Sequence, residues 1–201
     1  INAVAFSPTS GSTICTASAD NTIKLWDLES MSCVATLDGH SHWVRSVAFS
    51  PNGALLVSAS RDKKAMLWSV DSKECIGILE GHTNWVQHAD FSPDGRIVCT
   101  ASDDKSLKLW DVDTKQCVGT VDGHSSYANS AAFSPEGTML CSTSNDQKIK
   151  LWHISNGDIA GIAHKAEDAP ISNLCKDPIA VHHVVDIVEC ANAWSILVFC
   201  I

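Results

Sequence analysis

Residues 86–123 carry four short runs of apolar and polar positions separated by turn residues. VQHADF (86–91) alternates loosely and ends at Ser-Pro-Asp-Gly. RIVCTAS (96–102) is rich in β-forming side chains and ends at Asp103-Asp104, and SLKLWD (106–111) and KQCVGTVDG (115–123) follow. Runs of this length, bounded by Pro, Gly and Asp, predict four antiparallel strands joined by tight turns. By the period-two rule, Leu107 and Leu109 point to one face of the third strand while Lys108 and Trp110 point to the other. Both faces hold bulky apolar groups, so a sheet of this kind must be stacked between neighbours.

The same pattern recurs along the chain. Gly-His pairs stand at 39–40, 81–82 and 123–124, and tryptophans at Trp26, Trp68, Trp110 and Trp152, each step being 42 residues. Phe-Ser-Pro recurs at 6–8, 49–51, 91–93 and 133–135. An aspartate precedes each tryptophan by six residues (Asp20, Asp62, Asp104, Asp146) and a hydroxyl residue by ten (Thr16, Ser58, Thr100, Ser142). A fixed period of roughly 40–45 residues, opened by Gly-His and closed by Trp-Asp, marks an array of propeller blades. On these four registers the chain resembles the WD-repeat β-propeller family over about three-quarters of its length. The resemblance implies an all-β segment of four-stranded antiparallel blades at about 2–37, 44–79, 86–121 and 128–163.

Residues 164–201 break the pattern. Lys165 and Ala166 stand where the next Gly-His would fall, and PISNLCKDP (170–178) aligns only loosely with a first strand and turn. The segment reads as a degenerate fifth blade or an apolar C-terminal tail. A transmembrane helix is the rival, but His182, His183, Asp186, Glu189 and Asn192 interrupt it and the remaining run is too short to span a bilayer. His182-His183 with Cys175 and Cys190 matches no common zinc spacing. Neither a metal nor a cofactor is expected.

Composition narrows the partners. With 45% hydrophobic and 18% charged residues the chain can build a core, and its formal charge of −9 without a basic run argues against a nucleic-acid surface. It opens INAVAFSP, inside a repeat and without a recognisable secretory signal. Six of nine cysteines occupy repeat positions: Cys33, Cys75 and Cys117 seven residues after a tryptophan, Cys15, Cys99 and Cys141 eleven before one. Equivalent positions of successive blades cannot all pair, so these six are expected to be small buried hydrophobes, free thiols in a reducing cytoplasmic compartment.

Three units gather a histidine, a hydroxyl, an aspartate and a tryptophan: His40, Ser58, Asp62, Trp68; His82, Thr100, Asp104, Trp110; and His124, Ser142, Asp146, Trp152. Such sets invite comparison with a hydrolase triad. A nucleophile is needed once, however, in one shaped cleft, whereas this set recurs. What the family resemblance implies is a buried hydrogen-bond network tying the loop before the first strand to the turn between the second and third.

The positions that differ between blades cluster at one rim. Three residues after each histidine stands an aromatic (Trp43, Trp85, Tyr127), two further on Arg45, Gln87 and Asn129, and just before the later aspartates Arg61, Asp103 and Asn145. Exposed aromatics and arginine are frequent interface anchors, so these nine residues are candidates for binding protein or peptide partners, against the plainer reading that they cover strand ends. The arginine that substrate receptors of cullin-type ubiquitin ligases often carry three residues after the tryptophan is absent; Glu29, Asp71, Asp113 and Ser155 stand there.

The function expected is a non-enzymatic scaffold for protein–protein interaction, without nucleic-acid or membrane binding, able to self-associate through uncovered blade faces. The run HTNWVQHADFSPDGRIVCTASDDKSLKLWD looks like centriole-associated propellers of the POC type, which would imply a centriolar or basal-body role. It is also similar to the sensor arrays of NACHT-type signalling ATPases. The alternative is therefore a regulatory or substrate-docking segment of a larger signalling protein.

Overall fold

Each Phe-Ser-Pro turn closes a hairpin by chemistry local to it. In the second unit the Gly53 N–H donates to the Ser50 carbonyl at 2.8 Å, and Ser50 Oγ accepts from the Leu55 N–H at 2.9 Å. Proline fixes the backbone torsion at the first corner, and Gly53 adopts φ +70° at the last, where a Cβ would be strained. Gly95 and Gly137 repeat the geometry at φ +74° and +70°.

The computed structural model describes residues 1–154 and the strand 163–169. The described residues form four four-stranded antiparallel sheets, each with its strands in chain order. Blade one comprises β1 (Ala3–Phe6), β2 (Thr13–Ala17), β3 (Ile23–Asp27) and β4 (Ser32–Leu37). Blade two comprises β5 (Val44–Phe49), β6 (Leu55–Ser60), β7 (Lys64–Ser69) and β8 (Cys75–Glu80). Blade three comprises β9 (Val86–Phe91), β10 (Ile97–Ser102), β11 (Ser106–Asp111) and β12 (Cys117–Asp122). Blade four comprises β13 (Ala128–Phe133), β14 (Met139–Ser144), β15 (Ile149–His153) and β16 (Ala163–Ala169). First strands of successive blades touch, which makes them the inner strands and leaves β4, β8 and β12 at the outer edge.

The apolar cores lie between blades. Cys15, Ala17, Ile23, Leu25 and Leu37 of blade one pack on Val44, Val47, Phe49, Leu56, Met66 and Trp68 of blade two. Val57, Ala59, Ala65, Leu67 and Leu79 then meet Val86, Phe91, Val98 and Trp110, and Cys99, Leu107, Leu109 and Val121 meet Ala128, Leu140 and Trp152. Each fully buried Leu, Val or Phe contributes about 1.5–3 kcal/mol through lost apolar hydration. Among the described residues the opposite face of blade one has no such cover: Phe6 is 59% exposed, against 9% for Phe49 and 5% for Phe91 at the same position.

Two expectations need correction. Cys15 and Cys99 are buried and Cys141 partly so, but Cys33, Cys75 and Cys117 are exposed. A β-bulge beside each blade's tryptophan pairs Trp26 with Cys33, Trp68 with Cys75 and Trp110 with Cys117, which turns these cysteines off the buried row that Leu37, Leu79 and Val121 continue. The fourth blade's last strand runs to Ala169, past the expected boundary at 163. Ile149 pairs with Ala169, whereas Leu107, one repeat earlier, pairs with Val121. The outer strands of the first three blades each bury a single side chain, so the apolar pattern specifies their register weakly. The rest of the expected 164–201 segment, from 170 onward, and the His182-His183 cluster lie outside the described residues.

Candidate functional site

The three tetrads share one geometry. In blade two, His40 Nδ1 lies 2.7 Å from Asp62 Oδ2, His40 Nε2 2.8 Å from Ser58 Oγ, and Trp68 Nε1 donates to Ser58 Oγ at 2.9 Å. The corresponding distances are 2.7, 2.7 and 2.9 Å through His82, Thr100 and Trp110, and 2.8, 2.8 and 2.9 Å through His124, Ser142 and Trp152. The ends fix the direction of the chain, because indole N–H only donates and a carboxylate only accepts. The indole thus donates to the hydroxyl and Nδ1–H to the aspartate, and with a neutral imidazole the hydroxyl donates to Nε2. Burial alone would raise the Asp62 carboxyl, but the His40 bond and the backbone N–H groups of Ser41 and Lys64 outweigh it and hold the group below its ordinary range. Asp104 and Asp146 are held down in the same way.

Glycine admits the ring that anchors this network. A Cβ on Gly39 would stand 2.9 Å from the far edge of the Trp68 indole, and one on Gly123 2.8 Å from that of Trp152. The hydroxyls at the centre have no route to a substrate, since Ser58 and Thr100 are 0% and Ser142 1% exposed. A triad needs an open nucleophile; these hydroxyls are sealed and already engaged on both sides. Blade one has no histidine partner in this set: Trp26 donates to Thr16 at 2.9 Å, while Asp20 turns to Thr22.

The rim residues sort into two groups. Trp43, Arg45, Arg61, Trp85, Gln87 and Asp103 come together where blades two and three meet. The Arg61 guanidinium carbon lies 4.5 Å from the Trp43 ring centroid and 4.2 Å from that of Trp85. Arg45 Nε donates to Gln87 Oε1 at 3.0 Å, and Gln87 Nε2 donates to Asp103 Oδ1 at 2.9 Å. Burial pushes the Asp103 carboxyl up, with Gln87 and the two arginines opposing. Burial also pushes Arg45 down, and Arg61 adds to that shift. On blade four, Asn129 Nδ2 donates to Asn145 Oδ1 at 2.7 Å and Tyr127 stands exposed.

His42 belongs to the first group although the sequence pattern did not single it out. Its ring lies 5.9 Å from Trp43 and 6.2 Å from Trp85. The signal was available, because Asn84 and Ser126 occupy the same repeat position, which therefore varies between blades as the other rim positions do.

No helix among the described residues is long and apolar enough to cross a membrane. A family described as the IFT122 first beta-propeller matches residues 1–175. Among curated proteins, nuclear distribution protein PAC1 of Mycosarcoma maydis is 54% identical over 43 residues, 21% of this chain and 10% of that protein. PAC1 of Coccidioides posadasii is 49% identical over 47 residues, 23% of this chain and 10% of that protein. Ribosome assembly protein 4 of Chaetomium thermophilum is 48% identical over 48 residues, 24% of this chain and 9% of that protein. The matched stretch is about one blade long and spans about a tenth of each relative. WD-repeat propeller families generally serve as non-enzymatic scaffolds that bind other proteins. With blades, tetrads and the match over 1–175 in agreement, this chain belongs to the WD-repeat β-propeller family, in the group of the first IFT122 propeller.

Proposed function

We propose that the chain is a non-catalytic scaffold that takes a protein or peptide partner on the rim where blades two and three meet. One observation carries this reading. Positions that differ from blade to blade are gathered around two exposed indoles, Trp43 at 41% and Trp85 at 36%, whereas the tetrads that repeat are buried. Repeated positions make the fold, and varied ones make the choice of partner. Neither nucleic acid nor a membrane suits a surface of this net charge, and the setting we infer is cytoplasmic. Assembly of a larger complex, centriolar or otherwise, is the process such a scaffold serves.

The test is Trp85→Ala. Losing a central aromatic anchor costs about 2 kcal/mol of binding, roughly thirtyfold in affinity. The Arg61 stack, by contrast, costs the fold only about 1 kcal/mol at an exposed site. Unchanged affinity for a captured partner together with a sharply lowered melting temperature would make Trp85 a strand cap and refute the rim.

A further inference from the structure

Building on that rim reading, we propose that the junction of blades two and three receives a carboxylate from an acidic segment of the partner. The first ground is charge. Arg61 lies near enough to disfavour the ionisation of Arg45, and among the described residues neither has a carboxylate within ion-pair distance. Asp103, the acid of this cluster, reaches Arg45 only through the Gln87 amide. Asp62 and Asp104, at the same ends of their blades, are committed to His40 and His82 and to backbone N–H groups. Neither arginine is therefore met by a carboxylate directly, although the chain as a whole carries a formal charge of −9.

The second ground is an unmet donor. Arg61 Nε is buried without a hydrogen-bond partner. The faces of Trp43 and Trp85 attract the guanidinium's charge but take none of its directional in-plane N–H bonds. A carboxylate suits this guanidinium, because it accepts two parallel N–H bonds in the guanidinium plane. A phosphate dianion would bring a second negative charge toward the buried Asp103. The exposed indoles and the His42 ring offer apolar contact on either side, so the segment that fits has Asp or Glu beside an aromatic or aliphatic residue.

The experiment is a selection. A random heptapeptide library displayed on phage is panned against the 201-residue chain, and recovered peptides are resynthesised with each Asp or Glu changed to its amide. Recovered peptides are expected to contain an acid beside an apolar residue. The acid-to-amide change should weaken binding by about tenfold or more against the parent chain, and by less than about twofold against Arg61→Gln and Arg45→Gln. Thermal melts establish that each variant folds, and Arg45→Gln keeps the comparison available if Arg61→Gln does not. Recovery of uncharged or basic peptides, or of none, overturns the proposal. So does an equal acid-to-amide penalty in all three chains, and so does tighter binding of a phosphoserine replacement. Peptides that need Trp85 but ignore both arginines sink the carboxylate and leave the rim reading standing. Acid-dependent peptides that ignore Trp85→Ala do the reverse.

Discussion

Thr100→Val tests what the tetrads contribute, because it removes a hydroxyl and leaves the side chain's shape nearly unchanged. Thr100 Oγ1 accepts from Trp110 Nε1 at 2.9 Å and meets His82 Nε2 at 2.7 Å, with no exposure to solvent. The valine methyl can do neither, so the indole N–H and the imidazole Nε2 are both left without partners. A buried polar group left unsatisfied costs about 1–3 kcal/mol, which puts the loss of two partners at about 2–6 kcal/mol. Thr100→Ser is the control: it keeps both hydrogen bonds, loses one methyl and should cost under about 1.5 kcal/mol, as small volume changes in a core do. The assay is the urea unfolding midpoint of both variants with the slope checked for constancy. If Thr100→Val unfolds no earlier than Thr100→Ser, the network contributes nothing beyond packing and the argument fails.

Trp110→Ala removes a buried ring together with a network donor and should cost about 3–5 kcal/mol by the same unfolding measurement; Trp26→Ala should cost clearly less, because its ring is only partly buried and its hydroxyl partner serves no histidine. Two sets of carboxylates tilt the pH profile in opposite senses. Asp62, Asp104 and Asp146 are held below the unfolded value near 3.9, so their stabilisation is complete above that pH and is lost as pH falls further. Asp90 is pushed up to about 6 by burial, only partly countered by the Phe91 N–H, so its ionisation removes stability as pH rises from about 4 to about 6. His88, pushed down to about 4 by burial, gains stability over the same range and opposes the Asp90 loss, so the Asp90 contribution is read as the difference in urea midpoint between the parent chain and Asp90→Asn across pH 3 to 8.

Fold and tetrads were legible for a common reason: they rest on spacing. A strand that must bury a side chain in each of several blades repeats that side chain, and the constant offsets from hydroxyl and aspartate to Trp68, Trp110 and Trp152 make the network visible without coordinates. The cysteines were misjudged because the bulge beside each tryptophan slips the alternation by one residue, and a one-residue slip leaves no mark in composition. The close of blade four escaped for the related reason that its outer strand has little apolar content to hold its register. At the rim, the residues were identifiable but their meeting was not. Arg61 lies between Trp43 of its own blade and Trp85 of the next. Which ring a long side chain stacks on depends on rotamers and the stagger of two sheets.

The hydrogen-bonded tetrads each close within one blade, whereas the apolar clusters each straddle two. Cohesion of a unit and adhesion between units thus draw on different chemistry and can be weakened one at a time. A polar substitution such as Thr100→Val loosens a single bead, while Leu67→Ala loosens a link and leaves the beads on either side intact. Blade one, with Phe6 exposed and Trp26 half-buried, packs among the described residues against blade two alone. Within these 201 residues the backbone amides of β1 and β2 should therefore exchange with solvent deuterium before those of β6 and β10.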